Sequence, residues 1–265
     1  MSIFESIILG LTQGLTEFIP VSSSGHEVLL QNLMSGFSDH LFLEFINIGT
    51  LLALLVFFRK QIWQILVDVF KNHNFKLARN LILTSVPAGI IGFLLMGLMH
   101  DAPFFGSVIT VVVALAVVGI IMLIVDKLPH ASEVKNGAEL SPWRALIIGG
   151  AQAVALIPGV SRSGATIIAG KFSGLSSDRA AEYSFLASIP IMLGVTLKVC
   201  LLDHAYMIDN WPTLALSNLV AFVAGMLAIG FMLKYLARHD LKIFGIYRIA
   251  LALVVVVVLL FGLTF

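Results

Sequence analysis

Pro20-Val21-Ser22-Ser23-Ser24-Gly25-His26 is a polar stretch inside the otherwise apolar segment Ile3–Leu33. A second polar stretch, Pro158-Gly159-Val160-Ser161-Arg162-Ser163-Gly164, interrupts the apolar segment Trp143–Phe172 in the same way. Each segment predicts a helix, a polar turn and a second helix. Because each apolar arm has only about ten to fifteen residues, it is too short to cross the roughly 30 Å hydrocarbon core of a bilayer. We therefore predict two re-entrant helical hairpins whose tips lie near mid-membrane, surrounded by protein or reached by water.

The composition of the whole chain indicates a membrane protein. Of its 265 residues, 59% are hydrophobic and 12% are charged, and the mean hydropathy is +1.02. Soluble domains are typically about 45–50% apolar and about 25% charged. The net charge of +1 gives no indication of a nucleic-acid partner. The single cysteine, Cys200, cannot form an internal disulfide.

Six further stretches are apolar enough to cross a bilayer, for which roughly 20 residues are needed. They are Leu41–Phe58, Leu81–Leu98, Val108–Val125, Tyr183–Leu202, Leu214–Leu236 and Phe244–Phe265. The sequence therefore predicts an all-α polytopic membrane protein. It forms one membrane domain over residues 1–265, with six transmembrane helices plus the two re-entrant hairpins.

The two polar stretches belong to an internal repeat. A fixed offset of 139 residues pairs Gln13 with Gln152 and gives five identities over the thirteen residues Gln13–Gly25. Repeat 1 covers approximately residues 1–126 and repeat 2 approximately residues 140–265. Each has one hairpin and three spans, an odd number of crossings, so the second half should be inverted relative to the first. Inverted-topology repeats with broken helices place a site near the midplane.

The basic residues orient this topology. The connections on one side carry many Lys and Arg residues, from Arg59 to Lys242, whereas the connections near His100–Asp101 and Asp203–Asn210 carry none. The positive-inside rule places the basic side in the cytoplasm. Both termini and the opening of the first hairpin are then expected on the outer side.

Ionisable side chains at the tips are costly in a membrane and usually mark function. Glu17 and His26 lie in or beside the first tip, and Arg162 lies in the second. Arg162 offers a planar fork of donors that suits phosphate oxygens. Gly25 and Gly164 allow the turn backbone to approach a ligand closely, and the helix N-termini beside them favour an anion.

Hydroxyl groups complete this candidate phosphate site. They belong to Ser22, Ser23, Ser24, Ser161, Ser163 and Thr166. A serine becomes a nucleophile when a base lies beside it, and Glu17 and His26 are the available bases. Gln13 and Glu17 share one helix face, and the Glu17 carboxylate could instead hold a divalent cation between two phosphates. Each ionisable group also has a structural alternative, such as Arg162 only neutralising Glu17.

The segment Gln13–His26 resembles the first signature of the bacterial undecaprenyl-diphosphate phosphatases of the bacitracin-resistance type. The segment Pro158–Thr166 resembles their second signature, and the resemblance extends over nearly the whole chain in length and span order. It implies hydrolysis of undecaprenyl diphosphate to the monophosphate and inorganic phosphate, which recycles the lipid carrier of cell-wall synthesis. It also implies the bacterial cytoplasmic (inner) membrane, with the site opening on the periplasmic side.

The resemblance assigns roles to individual residues. It implies that Ser23 is the nucleophile, Arg162 the essential arginine and His26 the signature histidine. Gln13 and Glu17 fit a signature that begins with Glu or Gln and has Glu four residues later. The resemblance further implies a divalent cation, Mg²⁺ or Ca²⁺, with Glu17 and Gln13 as candidate ligands. It leaves open whether Glu17 is base or ligand, the prenyl chain length, and a homo-oligomeric state.

Two alternatives to this reading remain at the level of sequence. In the first, His26 is the nucleophile and takes the phosphate as a phosphohistidine. In the second, the chain is a transporter or lipid flippase, because inverted repeats with broken helices are typical of transporters. The clustering of Glu17, Ser23, His26 and Arg162 argues against pure transport, which needs no reactive groups.

Overall fold

The computed structural model describes residues 2–35, 39–101, 107–128 and 131–261, and this part of the chain is helical with no strand. Its helices are α1 (Ile3–Phe18), α2 (Ser23–Ser35), α3 (His40–Phe57), α4 (Arg59–Phe70), α5 (Lys76–Asp101), α6 (Val108–Ile124), α7 (Pro142–Val154), α8 (Arg162–Phe172), α9 (Ser177–Leu202), α10 (His204–Asp209), α11 (Trp211–Leu236) and α12 (Lys242–Leu260). Two 3₁₀ turns, Val125–Lys127 and Gly137–Glu139, lie between α6 and α7. The predicted all-α class is confirmed.

Six of these helices are long and apolar enough to cross a membrane: α3, α5, α6, α9, α11 and α12. Each coincides with one of the six predicted spans, so the chain is a multi-pass membrane protein. The end of the last predicted span, residues 262–265, lies outside the described residues. The other predicted pattern, a helix, a turn and a second helix, is also present twice, as α1–α2 and α7–α8.

The outer surface of the helices is apolar, as a lipid-facing surface must be. In α6, Ile109, Val113 and Val117 follow one another at four-residue spacing and are 69%, 54% and 50% exposed. Leu115 and Met122 in the same helix are fully buried. A stripe of large exposed apolar side chains at helical spacing would be unfavourable in water, and it is the surface expected against lipid.

Two helices were not predicted, and both lie in connections between spans. The longer, α4, begins with Arg59 and Lys60 and has no buried residue. Trp63 and Phe70 in this helix are 65% and 75% exposed. A helix that combines basic residues with exposed aromatic rings suits the membrane–water interface. The segment interpreted as a simple connection is therefore an ordered helix.

Each hairpin packs against a span of the other half. Helix α1 lies along α11, and α7 lies along α5. At the offset of 139 residues α1 corresponds to α7 and α5 to α11, so the two contacts are equivalent. Glycine at equivalent positions makes both possible: a Cβ on Gly149 would lie 2.7 Å from the Thr84 carbonyl oxygen, and one on Gly10 would collide with the Ser217 backbone. The inverted orientation of the halves and the re-entrant path of the hairpins stay predictions.

Candidate active site

The two hairpin turns share one unusual feature of the backbone, a left-handed serine at equivalent positions. Ser22 has a φ of 76° and Ser161 a φ of 73°, in the left-handed region that residues other than glycine rarely adopt. The Ser22 hydroxyl accepts a hydrogen bond from the Gly25 N–H at 3.4 Å, and the Ser161 hydroxyl accepts one from the Gly164 N–H at 3.2 Å. These bonds cap α2 and α8, which offsets part of the backbone strain of about 1–3 kcal/mol per residue.

The two glycines of the tips pack against the protein. A Cβ on Gly25 would lie 3.2 Å from Val111 Cγ1, and one on Gly164 would lie 2.9 Å from Met122 Cε. Val111 and Met122 belong to α6, so small residues here let both tips approach that span. The role of the glycines toward a bound phosphate stays a prediction.

Glu17, at the end of α1, joins the two tips. Its Oε2 accepts a hydrogen bond from the Ser23 hydroxyl at 2.6 Å, and its Oε1 accepts one from Arg162 Nη2 at 2.5 Å. The Arg162 and Glu17 side chains are only 18% and 13% exposed, so water screens this ion pair weakly. The structure thus brings together three of the four predicted catalytic residues, one each from α1, α2 and α8.

His26 lies beside this cluster but makes different contacts. Its Nδ1 is 2.7 Å from the Ser22 carbonyl oxygen, and its Nε2 is 2.7 Å from the Tyr247 hydroxyl. Because a carbonyl can only accept, Nδ1 carries the proton of the neutral ring, and Nε2 accepts from the tyrosine. The two rings also stack, with centroids 5.7 Å apart. His26 Nε2 is therefore covered by Tyr247, and the hydrogen bond of Ser23 goes to Glu17.

The remaining predicted hydroxyls differ in exposure. Ser24 is exposed and lies 3.4 Å from the Ser22 hydroxyl, whereas Ser163 is buried and lies 3.2 Å from the Ser161 hydroxyl. Thr166 is buried, and its hydroxyl pairs with the Ser184 hydroxyl at 2.5 Å. The hydrogen-bonding capacity of the Thr166 hydroxyl is therefore used behind the second tip, where this bond holds α8 against α9.

Gln13 is buried one helical turn before Glu17. Its Nε2 donates to Asn47 Oδ1 at 2.6 Å, and its Oε1 has no partner. Its equivalent, Gln152, donates to the Thr84 carbonyl at 3.1 Å and also has an unpartnered Oε1. The unpartnered amide oxygen is thus a feature of both hairpins. Among the described residues, no group of three or more His, Cys, Asp or Glu side chains could hold a metal ion.

Sequence reasoning missed Arg248, which is fully buried in the 19-residue span α12. Its guanidinium donates to the Pro20 carbonyl at 3.1 Å, to the Gly159 carbonyl at 2.5 Å and to the Val160 carbonyl at 3.0 Å. Pro20 and Gly159 are equivalent positions of the two turns. Arg248 therefore ties the tips together through their backbone, and a lone arginine inside an apolar span was the signal that could have revealed it.

Two further ionisable groups were overlooked or only partly interpreted. Glu27, directly after His26, is buried, and its Oε1 has no hydrogen-bond partner. Glu44 pairs with Lys198 at 3.0 Å, a contact between α3 and α9. The signal for Glu27 was an acidic residue in the apolar arm that follows the first tip.

The chain matches the family model of the bacitracin resistance protein BacA over residues 6–254. It is 36% identical to the undecaprenyl-diphosphatase of Methylobacillus flagellatus over 262 residues, or 96% of each chain. It is 38% identical to undecaprenyl-diphosphatase 1 of Clostridioides difficile over 265 residues, covering 96% of this chain and 95% of the relative. With undecaprenyl-diphosphatase 2 of Pseudomonas fluorescens it shares 36% identity over 99% of this chain and 95% of the relative. A fold of six apolar spans around a cluster of serine, glutamate and arginine, together with these matches, shows that the chain belongs to the BacA family.

Proposed function

We propose that this chain hydrolyses undecaprenyl diphosphate to undecaprenyl phosphate and inorganic phosphate, which returns the lipid carrier to cell-wall synthesis. The observation that carries the proposal is the Glu17 carboxylate, which accepts hydrogen bonds from both Ser23 and Arg162. A hydroxyl, a base and a cation within hydrogen-bond reach form the minimal set for phosphoryl transfer through a serine. The full-length relatives named for this activity support the same function over transport.

Arg162 is suited to hold the diphosphate. Its Nη2 is bonded to Glu17, while its Nη1 is buried and has no partner. A buried N–H without an acceptor is unfavourable, and a phosphate oxygen would satisfy it. The guanidinium would then stay paired to Glu17 and stabilise the negative charge of the reacting phosphoryl group.

Ser23 attacks the terminal phosphorus in this mechanism. The new bond forms between Ser23 Oγ and phosphorus, and the bond from phosphorus to the bridging oxygen breaks, so undecaprenyl phosphate leaves. Glu17 receives the proton of the hydroxyl through the 2.6 Å hydrogen bond. Water then cleaves the phosphoserine and releases inorganic phosphate. Of the two bases considered, Glu17 has the contact that this step requires.

The rival mechanism with a histidine nucleophile is less well supported by the geometry. His26 would attack through Nε2, which accepts the Tyr247 hydroxyl at 2.7 Å. Tyr247 would have to move away before that nitrogen could reach phosphorus. The nature of the covalent intermediate distinguishes the two mechanisms: an acid-stable phosphoserine is expected, and an acid-labile phosphohistidine would overturn the assignment of Ser23.

A divalent cation, Mg²⁺ or Ca²⁺, is proposed as the cofactor. These ions prefer oxygen ligands, and the unpartnered Oε1 of Gln13 and the carboxylate of Glu17 are of that type. When bound, the ion would neutralise charge on the diphosphate. Arg162 already takes one oxygen of Glu17 and Ser23 the other, so the ion would compete with both of these hydrogen bonds.

We also propose that the two halves are inverted in the bacterial inner membrane, with both termini and the site opening on the periplasmic side. The distribution of basic residues in the connections supports this orientation. Lys198, in the outer half of α9, departs from the pattern, but it is paired with Glu44 at 3.0 Å.

Cysteine labelling tests the orientation. In a Cys200→Ala background, Asp209→Cys should react with a membrane-impermeant maleimide in intact cells, whereas His73→Cys should react only after lysis. The reverse labelling pattern would show that the orientation is wrong.

The activity itself is tested by phosphate release from undecaprenyl diphosphate in detergent, where no membrane separates two compartments. We expect the purified protein to release inorganic phosphate and to lose most of this activity when divalent cations are chelated. A silent detergent assay, with lipid translocation by the same preparation in vesicles, would overturn the proposal in favour of a transporter.

A further inference from the structure

A second carboxylate lies beside the Glu17 cluster and has no assigned role. Glu27 is 4% exposed, and its Oε1 forms no hydrogen bond. It lies one turn after Ser23 on the same face of α2, and the Ser23 hydroxyl in turn bonds Glu17. A carboxylate that is sheltered from water and leaves one oxygen without a hydrogen-bond partner is costly. Either a proton or a cation must therefore balance it.

The repeat shows that the hairpin fold does not require an acid at this position. The equivalent of Glu27 in the second hairpin is Thr166. The Thr166 hydroxyl is fully satisfied by Ser184 and by the carbonyl of Arg162, at 2.5 Å and 2.8 Å. A small, internally bonded side chain is thus sufficient at this position in the equivalent helix, α8. Glu27 is therefore one of the residues that distinguish the first hairpin from the second.

The unpartnered atoms of the site complement a diphosphate that carries a cation. Arg162 Nη1 is a buried donor without an acceptor, which suits a phosphate oxygen. Glu27 Oε1 is a buried acceptor without a donor, which suits a hard cation. Glu17, by contrast, uses one oxygen for Ser23 and the other for Arg162.

We propose that Glu27 is the principal protein ligand of the divalent cation, and that Glu17 is thereby left to act as the base on Ser23. This inference rests on the proposed diphosphatase function. It assigns cation binding to Glu27 and the role of base to Glu17, so that Glu17 does not have to perform both. Gln13, whose unpartnered oxygen recurs in Gln152, is a weaker candidate for this role.

Binding of Mn²⁺ alone, measured by electron paramagnetic resonance on the purified protein in detergent, tests the assignment without turnover. We expect Glu27→Gln and Glu27→Thr to weaken Mn²⁺ binding by about tenfold or more, because each removes the anionic ligand. Thr is the residue that the second hairpin already accommodates, so this variant should fold. The matched control is Glu182→Gln, which removes a carboxylate that pairs with Arg179 at 2.8 Å, and it should bind Mn²⁺ as the wild type does.

Unchanged Mn²⁺ affinity in both Glu27 variants would overturn the proposal and indicate that Glu27 is a neutral carboxylic acid. Loss of binding in Glu17→Gln but not in Glu27→Gln would also overturn it, as would a wild-type protein that binds no Mn²⁺ above the detergent blank. Phosphate release by the wild type is measured in parallel. If the wild type releases phosphate and the Glu27 variants still bind Mn²⁺, only this inference fails. If Mn²⁺ binding depends on Glu27 but no phosphate is released, the proposed function fails instead.

Discussion

The first and second hairpins share a left-handed serine at the tip and differ in the reactive side chains around it. Their left-handed serines differ by only a few degrees, with φ values of 76° and 73°. Position by position, Ser23 in the first corresponds to Arg162 in the second, and both donate to the same carboxylate, Glu17. Similarly, the equivalent carbonyls of Pro20 and Gly159 both accept from Arg248. The comparison shows how two equivalent turns form one reactive site. Glu17 and Arg248 each bind both turns, and neither residue has a counterpart in the other half.

Removing the Ser23 hydroxyl should have the largest effect on this division of roles. We expect Ser23→Ala to lower the rate of phosphate release by about 10³-fold or more, because no other hydroxyl hydrogen-bonds to Glu17 in the described structure. The control is Ser6→Ala, a buried serine at the start of the same hairpin whose hydroxyl bonds the Ser2 carbonyl at 2.9 Å. Near-normal turnover of Ser23→Ala would contradict the assignment of the nucleophile.

Removing the link between the two turns should cost about 3 kcal/mol of folding free energy. Arg248→Met removes the donor to three buried carbonyls of the tips, and each buried polar group left unpaired costs roughly 1–3 kcal/mol. The measurement is the thermal unfolding midpoint in detergent. Arg59→Met is the matched control, because Arg59 is exposed and bonds the nearby Val56 carbonyl at 2.9 Å. Equal midpoints for the two variants would show that Arg248 does not hold the tips.

Replacing Arg162 by lysine keeps the positive charge of the second tip but removes the guanidinium fork. This change should reduce catalysis by less than the loss of the Ser23 hydroxyl does. We expect Arg162→Lys to lower kcat/KM by about 10²-fold, since a single ammonium cannot bond Glu17 and a phosphate with the fixed fork of a guanidinium. The same replacement at Arg179, which is half exposed and pairs with Glu182, should leave kcat/KM unchanged. An Arg162→Lys variant as active as Arg179→Lys would mean that the fork geometry is unimportant.

The smallest expected effect comes from replacing the left-handed serine that each hairpin has at its tip. Ser161→Ala loses the cap of α8 but keeps the left-handed backbone, so we expect a loss of about 1–2 kcal/mol. Ser161→Gly loses the same cap but relieves the strain, so its stability should lie closer to the wild type. The same two substitutions at Ser22 should shift the unfolding midpoint by similar amounts. Clearly unequal shifts would indicate that Ser22 and Ser161 are alike in φ but not in energy.

The helices and much of the candidate site could be predicted because their signals are local. The runs that gave the six spans are continuous in sequence, and the two tips interrupt apolar segments at one fixed offset. The ion pair between Glu17 and Arg162 was foreseen as an alternative because both are charges in apolar surroundings. Arg248 and Tyr247 were missed because their partners, Pro20 and His26, lie more than two hundred residues earlier in the chain.

Other features escaped prediction for physical reasons of a different kind. Helix α4 has a polar and an apolar face and does not reach the hydropathy of a span, so its sequence resembled a connection. The left-handed φ of Ser22 and Ser161 opposes the ordinary preference of serine and is maintained by packing and capping. Gly25 and Gly164, each three residues after one of these serines, drew attention to the wrong position.

The bonds of Arg248 to both turns also limit how this protein can move. In an alternating-access cycle the two halves rock against each other, and the carbonyls of Pro20 and Gly159 would separate. The buried guanidinium would then lose acceptors that water cannot replace, at a cost of about 1–3 kcal/mol for each bond. The tips are therefore expected to behave as one rigid body, and a motion that rocks the two halves about them is not expected.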